Sequence, residues 1–80
     1  MTRREVVQFL YNFGLSYLDL DLVERADLSG FSDVAALKEW GYDAMSWAVA
    51  MDIIDSLEPD QCPTRADVAV IMARFAEKYL

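Results

Sequence analysis

The feature that most constrains this chain is an amphipathic pattern near its start that returns near its end. Shifting the sequence by 62 positions carries the first segment onto the last. The matched pairs are Thr2 and Thr64, Arg3 and Arg65, Glu5 and Asp67, Val6 and Val68, Phe9 and Ile71, Leu10 and Met72, and Phe13 and Phe75. An internal period of this kind is typical of repeat proteins. The pattern predicts one full repeat preceded by the closing helix of another. The alternative is two unrelated amphipathic helices that carry similar caps.

Both copies of the pattern begin with a helix-capping signal. Thr2 with Glu5, three residues later, forms a capping box, and the equivalent box at Thr64 is looser because Asp replaces Glu. The apolar residues that follow each cap recur at helical spacing on one face. We therefore predict a first helix that ends at Gly14 and a last helix that runs towards Tyr79.

The middle of the chain predicts shorter elements. Leucines and aspartates alternate in the linker, residues 15–30, where a short helix from about Leu20 to Leu28 is expected. Asp33 is expected to cap a turn over residues 34–39, and a helix is expected from Tyr42 to about Met51. The chain thus divides into residues 1–14 as the closing helix of a preceding repeat, 15–30 as a linker with a short helix, and 31–80 as the repeat. The predicted fold is all-α, a small bundle of three main helices plus a short connecting helix.

Composition excludes several classes of partner. The chain has 14 acidic against 7 basic residues and a net charge of −7, so we expect neither nucleic acid nor an anionic membrane as a partner. No secretory signal is recognised, since Glu5 directly follows the arginines at the start. The hydrophobic content is 55%, and the single cysteine, Cys62, cannot form an internal disulfide. We therefore expect the apolar faces to pack against an adjacent repeat, a neighbouring domain or a second copy of this chain.

Four motifs stand in order along the chain: Thr2-Arg3-Arg4-Glu5, Phe31-Ser32-Asp33-Val34, the run from Trp40 to Ala48, and Thr64-Arg65-Ala66-Asp67. Together they resemble the S-layer homology (SLH) domain of bacterial cell-surface proteins, whose motifs read T-R-A-E, F-x-D-V and W-A-x-x-A-x-x-W-A. Two departures stand out. Gly41 replaces an alanine, and the loop of residues 52–63, glycine-rich in the family, here contains no glycine.

The resemblance implies a function and a set of site residues. SLH repeats usually occur in threes and anchor exported proteins to an acidic secondary cell-wall polysaccharide at the bacterial surface, in grooves between repeats. The ligand-binding residues so implied are Arg3 and Arg65, with Thr2, Thr64, Glu5 and Asp67 beside them and Asp33 and Trp40 near the groove. A helix N-terminus attracts anions, and an arginine fork suits a carboxylate. The alternative is a structural or protein-interaction repeat, in which the capping boxes need no ligand and the arginines pair with nearby acids.

Catalysis is not expected from this composition. The chain has no histidine, so Cys62 lacks the usual activating base. The acidic residues of the linker lack the order of a calcium-binding loop and predict a solvated face. We therefore expect no enzyme activity, no metal and no cofactor.

Overall fold

The computed structural model describes all 80 residues and is entirely helical outside its turns and loops. Helix α1 is Arg3–Ser16, a single 3₁₀ turn is Val34–Leu37, α2 is Tyr42–Ala50 and α3 is Arg65–Tyr79. The prediction of an all-α fold with three main helices and one short connecting helix is confirmed. The short connecting helix, however, is the 3₁₀ turn and not a helix in the linker.

Both capping boxes form. At α1, the Glu5 N–H donates to the Thr2 hydroxyl (3.3 Å) and the Thr2 N–H donates to the Glu5 carboxylate (2.9 Å). At α3, the Asp67 N–H donates to the Thr64 hydroxyl and the Thr64 N–H donates to Asp67, each over 3.1 Å. The shorter aspartate therefore closes the second box as completely as glutamate closes the first.

The first capping box makes a prediction about acid stability. The backbone N–H and the hydroxyl of Thr2 both donate to the Glu5 carboxylate, and these hydrogen bonds hold the pKa of Glu5 below its ordinary value of 4.5. A carboxyl whose pKa falls on folding stabilises the fold above its unfolded pKa, and this stabilisation is lost as the pH falls through the folded pKa. Glu5→Gln keeps the box but cannot titrate. Thermal unfolding between about pH 3 and pH 6 should therefore depend less on pH in Glu5→Gln than in the native chain. Equal pH dependence in the two proteins would contradict this role for Glu5.

Gly14 does not end the first helix, so that prediction is wrong. α1 continues to Ser16, and Gly14 lies inside it against the linker and α3. A Cβ at this position would lie 2.9 Å from Leu22 Cδ1 and 3.8 Å from Phe75 Cζ. The glycine is therefore explained by close packing and not by helix termination.

The predicted helix over Leu20–Leu28 is also wrong, because this stretch is irregular. The chain turns at Asp19, whose φ is +52°, and continues as a strap with Leu22 and Leu28 buried. Its backbone is tied to α2: the Ala26 N–H donates to the Ser46 hydroxyl (2.9 Å), which donates in turn to the Ala26 carbonyl (2.7 Å). These tertiary hydrogen bonds take the place of helical ones.

One hydrophobic core joins all parts of the chain. Its members come from α1, the linker, α2, the loop of residues 52–63 and α3. The fully buried Trp47 of α2 lies at its centre, with its ring centroid 5.5 Å from that of Tyr11 and 6.1 Å from those of Phe75 and Tyr79. α2 is therefore held between α1 and α3, and this arrangement brings the first turn of α1 to the side of α3.

Candidate functional site

The loop of residues 52–63 closes the N-terminus of α1. The Arg3 N–H donates to the Gln61 carbonyl (2.9 Å), and the Arg4 N–H donates to the Pro59 carbonyl (3.0 Å). The first N–H groups of a helix have no acceptor within the helix, and here the loop provides one. The main-chain N–H groups of this helix end are therefore already used, and any ligand must be held by side chains.

The Arg3 side chain is a buried cation at this helix end. It is only 9% exposed. Its Nε donates to the Leu57 carbonyl (3.1 Å), and its Nη2 donates to the Ser56 carbonyl (2.9 Å). No carboxylate pairs with it, and its Nη1 has no partner in the chain and is not fully buried. Neutral carbonyls therefore fix the orientation of the guanidinium without a direct ion pair.

Arg3 lines a crevice of about 140 Å³ between the first turn of α1, the loop and α3. The other lining residues are Ile53, Ile54, Asp55, Asp67, Val70, Ile71 and Arg74. The Nη1 of Arg74 donates to the Ile53 carbonyl over a long 3.4 Å, so most of its donors remain free. Two guanidinium groups and two carboxylates therefore meet beside a short apolar wall.

The crevice offers two kinds of polar group to a ligand. Its guanidiniums can bind a carboxylate, and its aspartates can accept hydrogen bonds from hydroxyl groups. A bare inorganic anion would meet the two aspartates as well, and a neutral ligand would leave the cations unused. The volume is below the roughly 300–1,000 Å³ of sites for drug-sized ligands, so the crevice is a small site.

Of the residues predicted for the site, the structure brings two together in the crevice, Arg3 and Asp67. Thr2, Glu5 and Thr64 are engaged in the capping boxes and do not line it. Arg65 is exposed in the first turn of α3, without a hydrogen bond or ion pair from its side chain, and it does not line the crevice either.

Asp33 and Trp40 stabilise the fold elsewhere. Asp33 precedes the 3₁₀ turn but makes no capping bond to it, and instead accepts a hydrogen bond from the Glu58 N–H (2.9 Å). Trp40 is half-exposed and covers Arg4, whose Cζ lies 4.8 Å from the ring centroid. Arg4 also forms an ion pair with Asp60 (2.6 Å). Trp40 and Arg4 therefore both help to hold the loop of residues 52–63 against α1.

Sequence reasoning missed Arg74 and Asp55. Arg74 follows Asp67 and Ile71 at spacings of seven and three residues, which place all three on one helix face. That spacing is a signal that could have identified Arg74. Asp55 gave no such signal, because its position depends on the path of an irregular loop.

No group of three or more acidic or cysteine side chains is arranged to hold a metal ion. None of the helices has the length and apolar character needed to cross a bilayer. Comparisons with protein-family models, with curated proteins and with solved structures give no significant match to this chain.

Proposed function

We propose that this chain is a non-catalytic anchoring module that binds an acidic polysaccharide of a bacterial cell wall, as an SLH-like unit of an exported protein. The observation that carries the proposal is the convergence of Arg3 and Arg74 in one crevice, with Arg3 oriented by backbone carbonyls. The extracellular location and the attachment to a wall rest on the motif resemblance.

The repeat relation supports this reading of the crevice. Arg3 belongs to the closing helix of one predicted repeat, and Asp67 belongs to the equivalent helix of the next. The crevice therefore lies where two units of the repeat meet, as the resemblance implies for the glycan groove. Because its cations are partly buried, their attraction for a carboxylate is less screened by salt than that of a surface arginine.

Binding to a purified, carboxylated cell-wall polysaccharide tests the proposal. We expect Arg74→Ala to weaken binding about tenfold or more, because one hydrogen bond to a charged group contributes roughly 1.5–3 kcal/mol. The same polysaccharide with its carboxylates reduced to alcohols should bind poorly to the native chain. Isothermal titration calorimetry measures both effects.

Two control variants sharpen the test. Lys38→Ala removes the same charge from an exposed site outside the crevice and should bind like the native chain. Arg65→Ala tests the alternative contact at the exposed N-terminus of α3, where the sequence pattern also predicts a ligand-binding arginine. If Arg65→Ala abolishes binding and Arg74→Ala does not, the contact lies at α3 and the crevice proposal fails.

The second candidate is a structural repeat with no glycan ligand. The observation that favours it is the burial of Arg3, whose hydrogen bonds to Ser56 and Leu57 fasten the loop to α1 without any ligand. Under this alternative the native chain does not bind the polysaccharide, and the sole role of Arg3 is to stabilise the fold.

A further inference from the structure

The two equivalent helices bury neighbouring but different faces. We define the loop-side face as five of the six buried positions of α1, which are Arg3, Arg4, Val7, Leu10 and Gly14. The sixth, Val6, is equivalent to the half-buried Val68 and lies outside this face. The equivalent residues of α3 are Arg65, Ala66, Ala69, Met72 and Ala76, and all except the half-buried Ala76 are exposed. A face that is buried throughout one copy of the helix is therefore almost entirely uncovered in the other.

The reverse holds for the aromatic face, which we define as Phe9, Phe13 and Tyr17 in α1 and Ile71, Phe75 and Tyr79 in α3. In α3 this face packs on the core, with Ile71 and Phe75 buried. In α1 it is open at both ends, with Phe9 58% and Tyr17 82% exposed, while Phe13 between them is half-buried against the core. Each chain thus presents one uncovered face of each kind.

Within the chain these two kinds of face already meet. Gly14, on the loop-side face of α1, lies against Phe75, on the aromatic face of α3. At the start of the same contact, Arg3 shares the crevice with Asp67, which lies one turn before Ile71. Phe75 also meets Phe13, with ring centroids 6.5 Å apart, so the aromatic face of α3 packs on residues of both faces of α1, the loop-side face among them.

The two uncovered faces lie side by side. Met72 and Ala76 of the loop-side face line an apolar groove of about 360 Å³, and Phe13 of the aromatic face lines the same groove. No charged side chain lines it. With a two-fold axis through this groove, the uncovered loop-side face of each chain would contact the uncovered aromatic face of the other. Such a self-complementary contact is typical of symmetric dimers.

We propose that a second copy of this chain covers this groove, so that the loop-side face of α3 in each copy packs on the aromatic face of α1 in the other. Charge supports the pairing. Arg65 stands at the start of the uncovered loop-side face, and Glu5 stands one turn before Phe9 on the uncovered aromatic face. Arg65 and Glu5 are the equivalents of Arg3 and Asp67, which line one crevice within each chain without forming an ion pair.

Two single substitutions and their mixture test the pairing. Met72→Lys places a charge on the uncovered loop-side face, and Phe9→Glu places the opposite charge on the uncovered aromatic face. Both side chains are about half exposed, at 47% and 58%, so the fold should tolerate the changes. We expect each variant alone to dimerise at least about tenfold more weakly than the native chain in sedimentation equilibrium.

An equimolar mixture of the two variants should regain dimers. In the mixed dimer, one interface pairs the new lysine with the new glutamate and the other interface is native. If like faces paired with like, the mixture would not recover. Val23→Glu, at a 65% exposed position outside both faces, is the matched control and should dimerise normally.

The dimer proposal is overturned if the native chain stays monomeric at every concentration, if either single variant dimerises as the native chain does, or if the mixture fails to recover. Circular dichroism confirms that each variant keeps its helices. The measurement contains no polysaccharide, so its failure would leave glycan binding untouched, and a failure of glycan binding would leave the dimer untouched.

Discussion

Replacing Trp47 by alanine is expected to remove most of the stability of this chain. The side chain is fully buried between α1 and α3, and its Nε1 donates to the Tyr79 hydroxyl (3.1 Å). Truncating a buried tryptophan to alanine costs about 3–5 kcal/mol. A chain of this length has a total stability of roughly 4–12 kcal/mol, so the variant should be partly or largely unfolded at room temperature.

The same substitution at Trp40 provides the control. Trp40 is 44% exposed, and its main contact is with Arg4, so Trp40→Ala should cost only about 1 kcal/mol. Urea unfolding followed by far-ultraviolet circular dichroism measures both variants. Equal losses at the two positions would contradict the central place of Trp47 in the core.

The second large effect is expected at Gly41, immediately before α2. Its φ is +88°, a conformation that costs other residues about 1–2 kcal/mol. A Cβ there would also lie 2.8 Å from Cγ of Arg4, which is buried and held by Asp60. We expect Gly41→Ala to lower the free energy of unfolding by about 2–3 kcal/mol.

Gly30 supplies the matched control, because no atom lies within 4 Å of a Cβ built at that position. Gly30→Ala should change stability by no more than about 0.5 kcal/mol. The measurement is again urea unfolding, and a Gly41→Ala variant as stable as Gly30→Ala would contradict the claim that position 41 requires a glycine. That requirement also gives a physical reason for the glycine in place of the alanine of the SLH pattern.

The parts of the fold that could be predicted from the sequence are those determined locally. Thr2 and Thr64 satisfy N–H groups only three residues away, so both capping boxes and both long helices were accessible from spacing alone. The irregular path of the linker could not be predicted, because the Ala26 N–H bonds to Ser46, 20 residues further along the chain. Gly14 was misread for the same reason, since the atoms that require a glycine there belong to Leu22 and Phe75.

The candidate site divides in the same way. Arg3 was predicted from the resemblance of its motif to the SLH pattern, but the carbonyls that orient it lie 53 and 54 residues away in the chain. Its equivalence to Arg65 is a prediction from the repeat pattern, and that pattern did not predict the difference in their surroundings. That difference arises because a loop of this chain covers the first turn of α1 and none covers that of α3.

The crevice is tested most directly by nitrogen-15 NMR of the full chain during titration with the purified carboxylated polysaccharide. We predict shifts in the side-chain Nε signals of Arg3 and Arg74 and in the backbone amides of Ile53–Leu57, with the Arg65 signal unchanged. Shifts confined to Arg65 and the first turn of α3, or no shifts at saturating polysaccharide, would contradict the proposed site.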